Sequence, residues 1–241
     1  MTARPPGRWR RQERTATARE LLGPWPVPDG GPVVRTGHVA GRAALVLGST
    51  QDPAVADVDA AAAAAVDVVR RSTGGGAVLV APHAQVWLDL WIPRDDPLWD
   101  DDVVRAARFL GRAWATALGT LGASSLAVHE GGATKTAWSA LVCFAGRGPG
   151  EVARADEAGG AKVVGIAQRR TRAGVRLHAS APLRWEPAPL LRLLRVPGGA
   201  DASSLDSVAV GLREVVAPAH GGLTDAELLT SVEEAVLAAL S

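Results

Sequence analysis

Three consecutive glycines, Gly74–Gly76, constrain the fold of this 241-residue chain more than any other feature. They lie between two short, β-branched apolar runs, 66–69 and 77–80, which are typical of strands. Glycine loses much entropy on folding, so a triplet indicates a backbone that turns sharply or lets another group approach closely. Its N–H groups can cradle a carboxylate or a phosphate. A hairpin turn between the two strands explains the spacing equally well.

Two arginines, Arg70 and Arg71, stand directly before this loop. A guanidinium can hold an anion through two parallel hydrogen bonds, so the pair adds fixed positive charge beside the glycines. The alternative is that both side chains are simply solvated.

Lysine is rare among the 26 basic residues, since only Lys135 and Lys162 are lysines. Lys162 stands in a second strand-like run, 160–170. In so arginine-biased a chain, an ammonium within an apolar strand indicates a chemical role, because it is a compact donor whose pKa moves readily on burial. The alternative is a lysine at a strand end whose ammonium reaches water.

Together the two stretches resemble the lipoate–protein ligase A family, within the wider group of biotin and lipoate ligases and octanoyltransferases. The run 45–51 is similar to the family's first core strand and its Gln-ended loop, and the resemblance extends from about residue 43 to about residue 183. The matching residues of the two motifs are Arg70, Arg71, Thr73, Gly74, Gly75, Gly76 and Val78, followed by Lys162, Val163, Val164, Gly165, Ile166, Ala167 and Gln168.

The resemblance implies an α+β fold, a mixed or antiparallel sheet flanked by helices. The length suits one core, so we expect a single catalytic domain over 31–241 with a helical C-terminal tail. The capping box Thr224–Glu227 begins that tail. The basic segment 1–30 is expected to be a mobile arm.

Apolar patterning predicts the remaining elements. The acidic run 95–102 precedes a helical pattern, which favours capping over metal binding. Residues 151–153 and 161–169 are expected to pair as a hairpin around a loop at 156–160. We expect strands at 43–48, 84–92, 125–129, 140–144 and 175–181, and helices at 53–65, with Asp52 as its N-cap, and at 103–121.

The resemblance also implies the chemistry, which is attachment of lipoate or octanoate to a lysine of a lipoyl carrier domain through an acyl-adenylate. It places Lys162 at the acyl carbonyl and α-phosphate, and Arg71 with Gly74–Gly76 around the acyl and nucleotide pocket. Gly165 would leave room for the ligand. The other expected binding residues are Arg70, Thr73, Val78, Ile166 and Ala167. ATP is the implied cosubstrate and Mg²⁺ its usual companion, but the five histidines show no metal-ligand spacing, so no metal ligand is assigned.

Two alternatives remain. Cys143 aligns with the acyl-accepting cysteine of one octanoyltransferase branch, which takes octanoate from acyl carrier protein without ATP; a nearby ammonium such as Lys162 would stabilise its thiolate. The alternative for Cys143 is a small buried hydrophobe. The chain can also be an inactive protein that binds lipoate or a carrier.

Three departures from the family weaken the ligase assignment. Many ligases carry an Arg-Asn-Asp element where this chain has Arg147 to Glu151, and a His-Gly pair where it has His178-Ala179. Larger ligases also have a C-terminal accessory domain, for which the residues after Ala181 are too few.

The implied partners are lipoyl domains of 2-oxo acid dehydrogenase complexes or the glycine-cleavage H protein, with acyl carrier protein added for a transferase. A formal net charge of +1 gives no electrostatic case for nucleic acid. No apolar run reaches the roughly 20 residues of a membrane span, and no signal peptide is apparent. A single cysteine excludes an internal disulfide and fits the cytoplasm.

Overall fold

The fold is given by a computed structural model that describes residues 8–25, 27–28, 30–155, 160–198, 200–220 and 222–241. In those ranges it contains ten strands: β1 (Arg10–Ala16), β2 (Val33–Val39), β3 (Ala44–Leu47), β4 (Asp67–Arg70), β5 (Val78–Val80), β6 (Gln85–Pro93), β7 (Leu126–Val128), β8 (Val152–Arg154), β9 (Lys162–Arg170) and β10 (Gly174–Pro182). The helices are α1 (Ala18–Leu22), α2 (Val58–Ala63), α3 (Arg108–Thr120), α4 (Pro187–Leu191), α5 (Leu212–His220) and α6 (Asp225–Leu240).

A seven-stranded sheet in the order β1-β2-β6-β10-β9-β8-β7 forms the body of the fold. Only β1 and β2 pair in parallel; the other neighbours are antiparallel, so the sheet is mixed. One face of it packs on α3 and α6. The predicted α+β class is therefore confirmed, as are the strands expected at 84–92, 125–129, 151–153, 161–169 and 175–181.

A smaller sheet, in the order β4-β3-β5, lies against the other face of the large one. Alternation along β6 explains this arrangement, because successive side chains point to opposite faces. Leu88 and Leu90 pack in the helix-covered core, whereas Trp87 packs with Val46 and Val80 of the small sheet. The space between the two sheets is lined by polar as well as apolar side chains, among them Arg71 and His178.

The helix expected at 53–65 is divided in two. Asp52 caps a 3-10 helix, Pro53–Val55, as predicted, and Asp57 caps α2 after a break. The break lies at Ala56, which pairs with Leu194 in an isolated β-bridge.

The strand predicted at 140–144 is wrong. Cys143–Ala145 form a 3-10 helix, and Val142 makes only a single parallel bridge to Ala77. Val142 and Ala145 are both buried in the cluster around Leu45. A short apolar run buried on all sides has no alternation to distinguish a strand from a turn.

The helix expected from residue 103 begins five residues later. Asp102 accepts hydrogen bonds from the N–H groups of Val104 and Arg105, so it caps the turn that precedes α3. The N-cap of α3 itself is Ala107, with no side-chain hydrogen bond. The acidic run therefore caps backbone N–H groups, as predicted, but it caps the turn before α3 and not the helix itself.

The expected mobile arm is wrong for its described part. β1 pairs with β2 over seven residues, and α1 carries a capping box between Thr17 and Glu20. Trp9 is buried, and its Nε1–H donates to the carbonyl of Leu240, 3.0 Å away. The sequence concealed β1 because this edge strand exposes most of its side chains and shows no alternation.

At the other terminus, α6 begins with the predicted capping box of Thr224 and Glu227. The loop expected at 156–160 lies outside the described residues except for Gly160. Among the described helices, none is long and apolar enough to cross a membrane.

Trp9 is expected to hold both chain termini on the core. Trp9→Ala should lower the free energy of unfolding by about 3–5 kcal/mol, as large-to-small core substitutions do. Trp9→Phe, which keeps a ring and loses the hydrogen bond to Leu240, should cost about 1 kcal/mol for the bond and less than the alanine variant overall. Urea denaturation followed by circular dichroism measures both; an alanine variant as stable as the parent would show that the N-terminal segment is not part of the core.

Candidate functional site

Strand β9 brings Lys162 to the centre of the site. Its neighbours Val163 and Val164 lie in the main core, and only 2% of Lys162 is exposed. The ammonium donates to Oε2 of Glu151 and to the backbone carbonyl of Cys143, each at 2.9 Å. It also lies 5.0 Å from the ring centroid of Phe144. Two donors of three are thus engaged, which leaves one N–H for a ligand.

Glu151 is held as firmly as the lysine it pairs with. It precedes β8 and is 4% exposed. Oε2 accepts the N–H of Gly148 at 2.6 Å, and Oε1 accepts the N–H of Ile166 at 3.0 Å. Removing two charges from water costs several kcal/mol per ion unless further hydrogen bonds satisfy them, and these backbone donors supply such bonds.

The glycine loop is not a hairpin turn. β4 and β5 both pair with β3 and not with each other. Arg71 is buried and donates through Nη2 to the carbonyls of Gly74 and Gly76, at 2.8 and 2.9 Å. Gly75 has φ of 95°, and a Cβ at Gly76 would lie 2.5 Å from the carbonyl carbon of Val142. Both reasons for the triplet, unusual angles and close approach, are therefore present.

Cys143 lies between the loop and the lysine strand. Its Sγ is 3.6 Å from Nη2 of Arg71, and its N–H donates to the carbonyl of Ala77. Its own carbonyl receives the ammonium of Lys162. The side chain is half-buried, so the thiol lies beside the Arg71 guanidinium and remains accessible.

Two connected spaces surround these residues. A cleft of about 360 Å³ has Lys162 and the loop on its walls, and an adjoining, more apolar cavity of about 40 Å³ lies between the sheets. Cys143, Glu151, Ile166 and Ala167 line both. The cavity walls also include Val46, Val80, Trp87 and Phe144.

The structure gathers most of the predicted site residues here. Gly74, Gly75, Gly76, Cys143, Lys162, Ile166 and Ala167 line the cleft, and Arg71, Val78 and Gly165 line the cavity. Two residues lie elsewhere. Arg70 donates to the carbonyls of Ser49 and Gln51, and the buried hydroxyl of Thr73 has no hydrogen-bond partner in the described ranges.

Sequence reasoning missed a buried polar group at the end of the cavity. Asp89 is fully buried and accepts hydrogen bonds from Arg35 at 2.8 Å and from Arg176 at 2.9 Å. Nδ1 of His178 lies 2.9 Å from the same carboxylate, and the histidine ring packs edge-on to Trp87. The signal was present, since Asp89 and His178 each interrupt an apolar strand, as Lys162 does. Glu151, also missed, directly precedes the short apolar strand next to β9.

The pKa values of Asp89 and His178 are shifted by different dominant causes. Burial alone would raise the pKa of Asp89, but the hydrogen bonds and charges of His178 and Arg176 outweigh it and hold that pKa well below its usual range. Burial lowers the pKa of His178, and attraction by Asp89 offsets only part of that effect. At neutral pH the imidazole is therefore uncharged and donates Nδ1–H to the Asp89 carboxylate.

No metal centre is evident among the described residues, where no three His, Cys, Asp or Glu side chains lie close enough to hold an ion. Glu151, the carboxylate on the cleft wall, is already occupied by Lys162 and two N–H groups. The described lining of the cleft therefore offers no free carboxylate to Mg²⁺.

Comparison with known families agrees with this geometry. The profile of the lipoyl protein ligase A/B catalytic domain matches residues 36–235. The chain belongs to this family. A search of curated protein sequences gave no match.

Solved structures share the fold of this family member at low sequence identity. A lipoate–protein ligase A bound with ATP superposes with a TM-score of 0.63 at 18% identity, over 88% of this chain and 74% of that one. A putative lipoate protein ligase of Thermoplasma acidophilum with bound lipoic acid gives a TM-score of 0.62 at 17% identity, with the same coverage. The bipartite ligase of the same archaeon, described with its E2 lipoyl domain, gives 0.65 at 18% identity, over 96% and 84% of the chains.

The effects of substituting Lys162 and Glu151 on the free energy of unfolding are expected to be coupled. Lys162→Met and Glu151→Gln should each lower the free energy of unfolding by about 3–5 kcal/mol, because each leaves a buried charge unpaired. The double variant should lose less unfolding free energy than the two single variants together, since it removes both charges. Urea denaturation of the four proteins measures the coupling, and strictly additive costs would contradict a shared ion pair.

His178 is expected to make stability depend on pH below neutrality. Its pKa is lower in the folded state, so protons bind more readily to the unfolded chain as pH falls below about 6.5. Relative to His178→Gln, the parent should lose roughly 1 kcal/mol of stability between pH 7 and pH 5.5. Thermal or urea unfolding across that range tests this; parallel pH profiles would mean that His178 titrates alike in both states.

Proposed function

We propose that this protein activates lipoate or octanoate as an acyl-adenylate and transfers the acyl group to a lysine of a lipoyl carrier domain. The observation that carries the proposal is the buried ammonium of Lys162, which lines the polar cleft and contacts Cys143 and Glu151, two residues that line both the cleft and the apolar cavity. An acyl chain in the cavity would bring its carboxylate to Lys162, and ATP would occupy the cleft.

Charge explains why this arrangement favours adenylation. Joining a carboxylate to an α-phosphate brings two anions together, and the transition state develops further negative charge. A preorganised cation at that point stabilises it without reorganisation. Lys162 is preorganised because Glu151 and the carbonyl of Cys143 hold its ammonium from the other side. Glu151 acts here as a positioning residue.

The glycine loop has a complementary role in the proposal. Its backbone lies along the cleft beside Lys162, where N–H groups can approach phosphate oxygens because no side chain intervenes. Arg71 holds the loop in place through the carbonyls of Gly74 and Gly76. Mg²⁺ would bind to the ATP phosphates, since the described lining of the cleft offers it no free carboxylate.

A second candidate rests on the position of Cys143. Its sulfur lies 3.6 Å from the Arg71 guanidinium and borders both the cleft and the cavity. A thiolate there could take an octanoyl group from acyl carrier protein, forming a thioester as the carrier thiol leaves, and then pass it to the acceptor lysine. This route needs no ATP.

The carriers proposed for this protein are lipoyl domains of 2-oxo acid dehydrogenase complexes or the glycine-cleavage H protein. The archaeal ligase described with its E2 lipoyl domain supports a carrier of this kind. The cytoplasm, where such carriers and ATP occur together, is the proposed location.

The intact mass of an apo lipoyl domain tests the two candidates. One tube holds the purified protein with lipoate, ATP and Mg²⁺, and the other holds octanoyl-acyl carrier protein without ATP. A lipoyl mass gain in the first tube alone is the expected result. A gain in the second tube alone would assign the transferase, and no gain in either would leave an inactive binding protein.

Substitutions of Lys162 and Cys143 distinguish the ATP-dependent route from the transferase route. Lys162→Met should abolish adenylation, with a loss of about 10²-fold or more, the scale of removing one donor to developing charge. Cys143→Ser should leave the ATP-dependent reaction within a few-fold of the parent and abolish any transfer from acyl carrier protein. Circular dichroism of each variant separates loss of chemistry from loss of fold.

A further inference from the structure

A second cleft lies between the sheets at the far end of β9 from Lys162. Its volume is about 440 Å³. Arg169 lies seven positions along the strand from Lys162, a distance of roughly 23 Å at the usual strand rise. Four arginines line this cleft, and none of the described residues on its walls is acidic; the arginines are Arg70, Arg71, Arg169 and Arg176.

Sheet register explains the convergence of these side chains. Trp91 on β6 pairs with Arg176 on β10, which pairs in turn with Arg169 on β9. Directly opposed residues of antiparallel strands point to the same face, so the three side chains form one row facing the small sheet. Arg70 and Arg71 come to this row from the end of β4.

Two of these four guanidinium groups are held in place by groups that do not neutralise them. Arg71 donates to the carbonyls of Gly74 and Gly76, and Arg70 to those of Ser49 and Gln51. Carbonyl oxygens orient a guanidinium but leave its positive charge in place. Only Arg176 has a carboxylate partner, Asp89, which it shares with Arg35.

Two donors of the residues around the cleft have no partner in the described part of the chain, one buried and one exposed. Trp91 is 4% exposed, and its Nε1–H has no hydrogen-bond partner in the described part of the chain. A buried donor without a partner is uncommon and calls for an explanation. Arg169 is exposed, and its guanidinium makes no hydrogen bond or ion pair with any described residue. A ligand that accepts hydrogen bonds and carries negative charge would satisfy the exposed guanidinium of Arg169.

We propose that this cleft binds a phosphate group, either free or as part of a small phosphorylated molecule. A phosphate presents several acceptor oxygens and up to two negative charges, which suits arginine forks. The hydroxyl-bearing side chains of Ser72 and Thr171, also on the walls, can complete its shell. This site is distinct from the cleft of Lys162.

The two sites have one wall in common. Arg71 lines both the apolar cavity and the phosphate cleft, and it holds the glycine loop. An anion in the phosphate cleft would therefore bind beside the arginine that positions the loop. The binding itself does not depend on the proposed acyl transfer.

Isothermal titration calorimetry with inorganic phosphate, pyrophosphate and succinate tests the proposal. We expect both phosphates to bind the parent protein, more weakly as salt is raised, and succinate to bind much less. Arg169→Gln should weaken phosphate binding by roughly tenfold or more, the scale of one charged hydrogen bond. Arg172→Gln is the matched control, because Arg172 is an exposed arginine three residues along the same hairpin and does not line the cleft.

Lys162→Met is titrated in parallel to separate the two clefts.

Four results would overturn the proposal. They are no phosphate binding at millimolar concentration, equal affinity in the parent and Arg169→Gln, binding of succinate as tight as that of phosphate, and binding lost in Lys162→Met but kept in Arg169→Gln. The last would place the anion in the Lys162 cleft. A phosphate ester that binds more tightly than inorganic phosphate would identify the ligand as an organic phosphate, and the reverse order would identify free phosphate.

Discussion

A buried ion pair between Lys162 and Glu151 is the interaction on which the site depends. Both side chains lie in the sandwich between β8, β9 and the 3-10 helix that contains Cys143, so each charge has left water. Such a pair persists only where the surrounding backbone completes its hydrogen bonds. The N–H groups of Gly148 and Ile166 donate to Glu151, and the carbonyl of Cys143 accepts from Lys162, so three separate segments are tied to one ion pair. The position of Lys162 is therefore a consequence of sheet pairing and not of a flexible side chain.

Between the sheets, polar and apolar rows alternate across the large sheet. Trp87, Ser180 and Gly165 form one row, next to the acyl cavity. Asp89 and His178 form the next, and Trp91, Arg176 and Arg169 the one after. Register thus sets the order of chemical environments: lysine, apolar cavity, a buried carboxylate with its partners, and then a cleft rich in arginine. The small sheet closes this space, with the glycine loop at its rim.

Much of this could be predicted from the sequence where a strand carried a clear pattern. Lys162 was recognisable because it interrupts an apolar run in a chain with only one other lysine, and the glycine triplet because no ordinary strand or helix keeps one. Trp9 and β1 were not recognisable, because an exposed edge strand shows no alternation and its anchor lies at the opposite terminus. The strand expected around Cys143 failed because burial on all sides removes periodicity.

The candidate site was predictable in its residue types but not in its partners. Glu151 and Asp89 are separated from Lys162 and His178 by 11 and 89 positions, and only the pairing of strands brings them together. Arg70 and Arg71 are adjacent in sequence yet serve different walls, one bonded to the 49–51 loop and the other to the glycine loop. The adjacency of the two arginines in the sequence does not predict this difference in their hydrogen-bond partners.

The central claim is that the ammonium of Lys162 promotes adenylation of a fatty carboxylate. Lipoate-dependent exchange of radiolabelled pyrophosphate into ATP, with no carrier present, measures that half-reaction alone. The account predicts exchange in the parent protein, its loss in Lys162→Met and its persistence in Cys143→Ser. Exchange undiminished in Lys162→Met, or none in a parent protein that still transfers octanoate from acyl carrier protein, would contradict it.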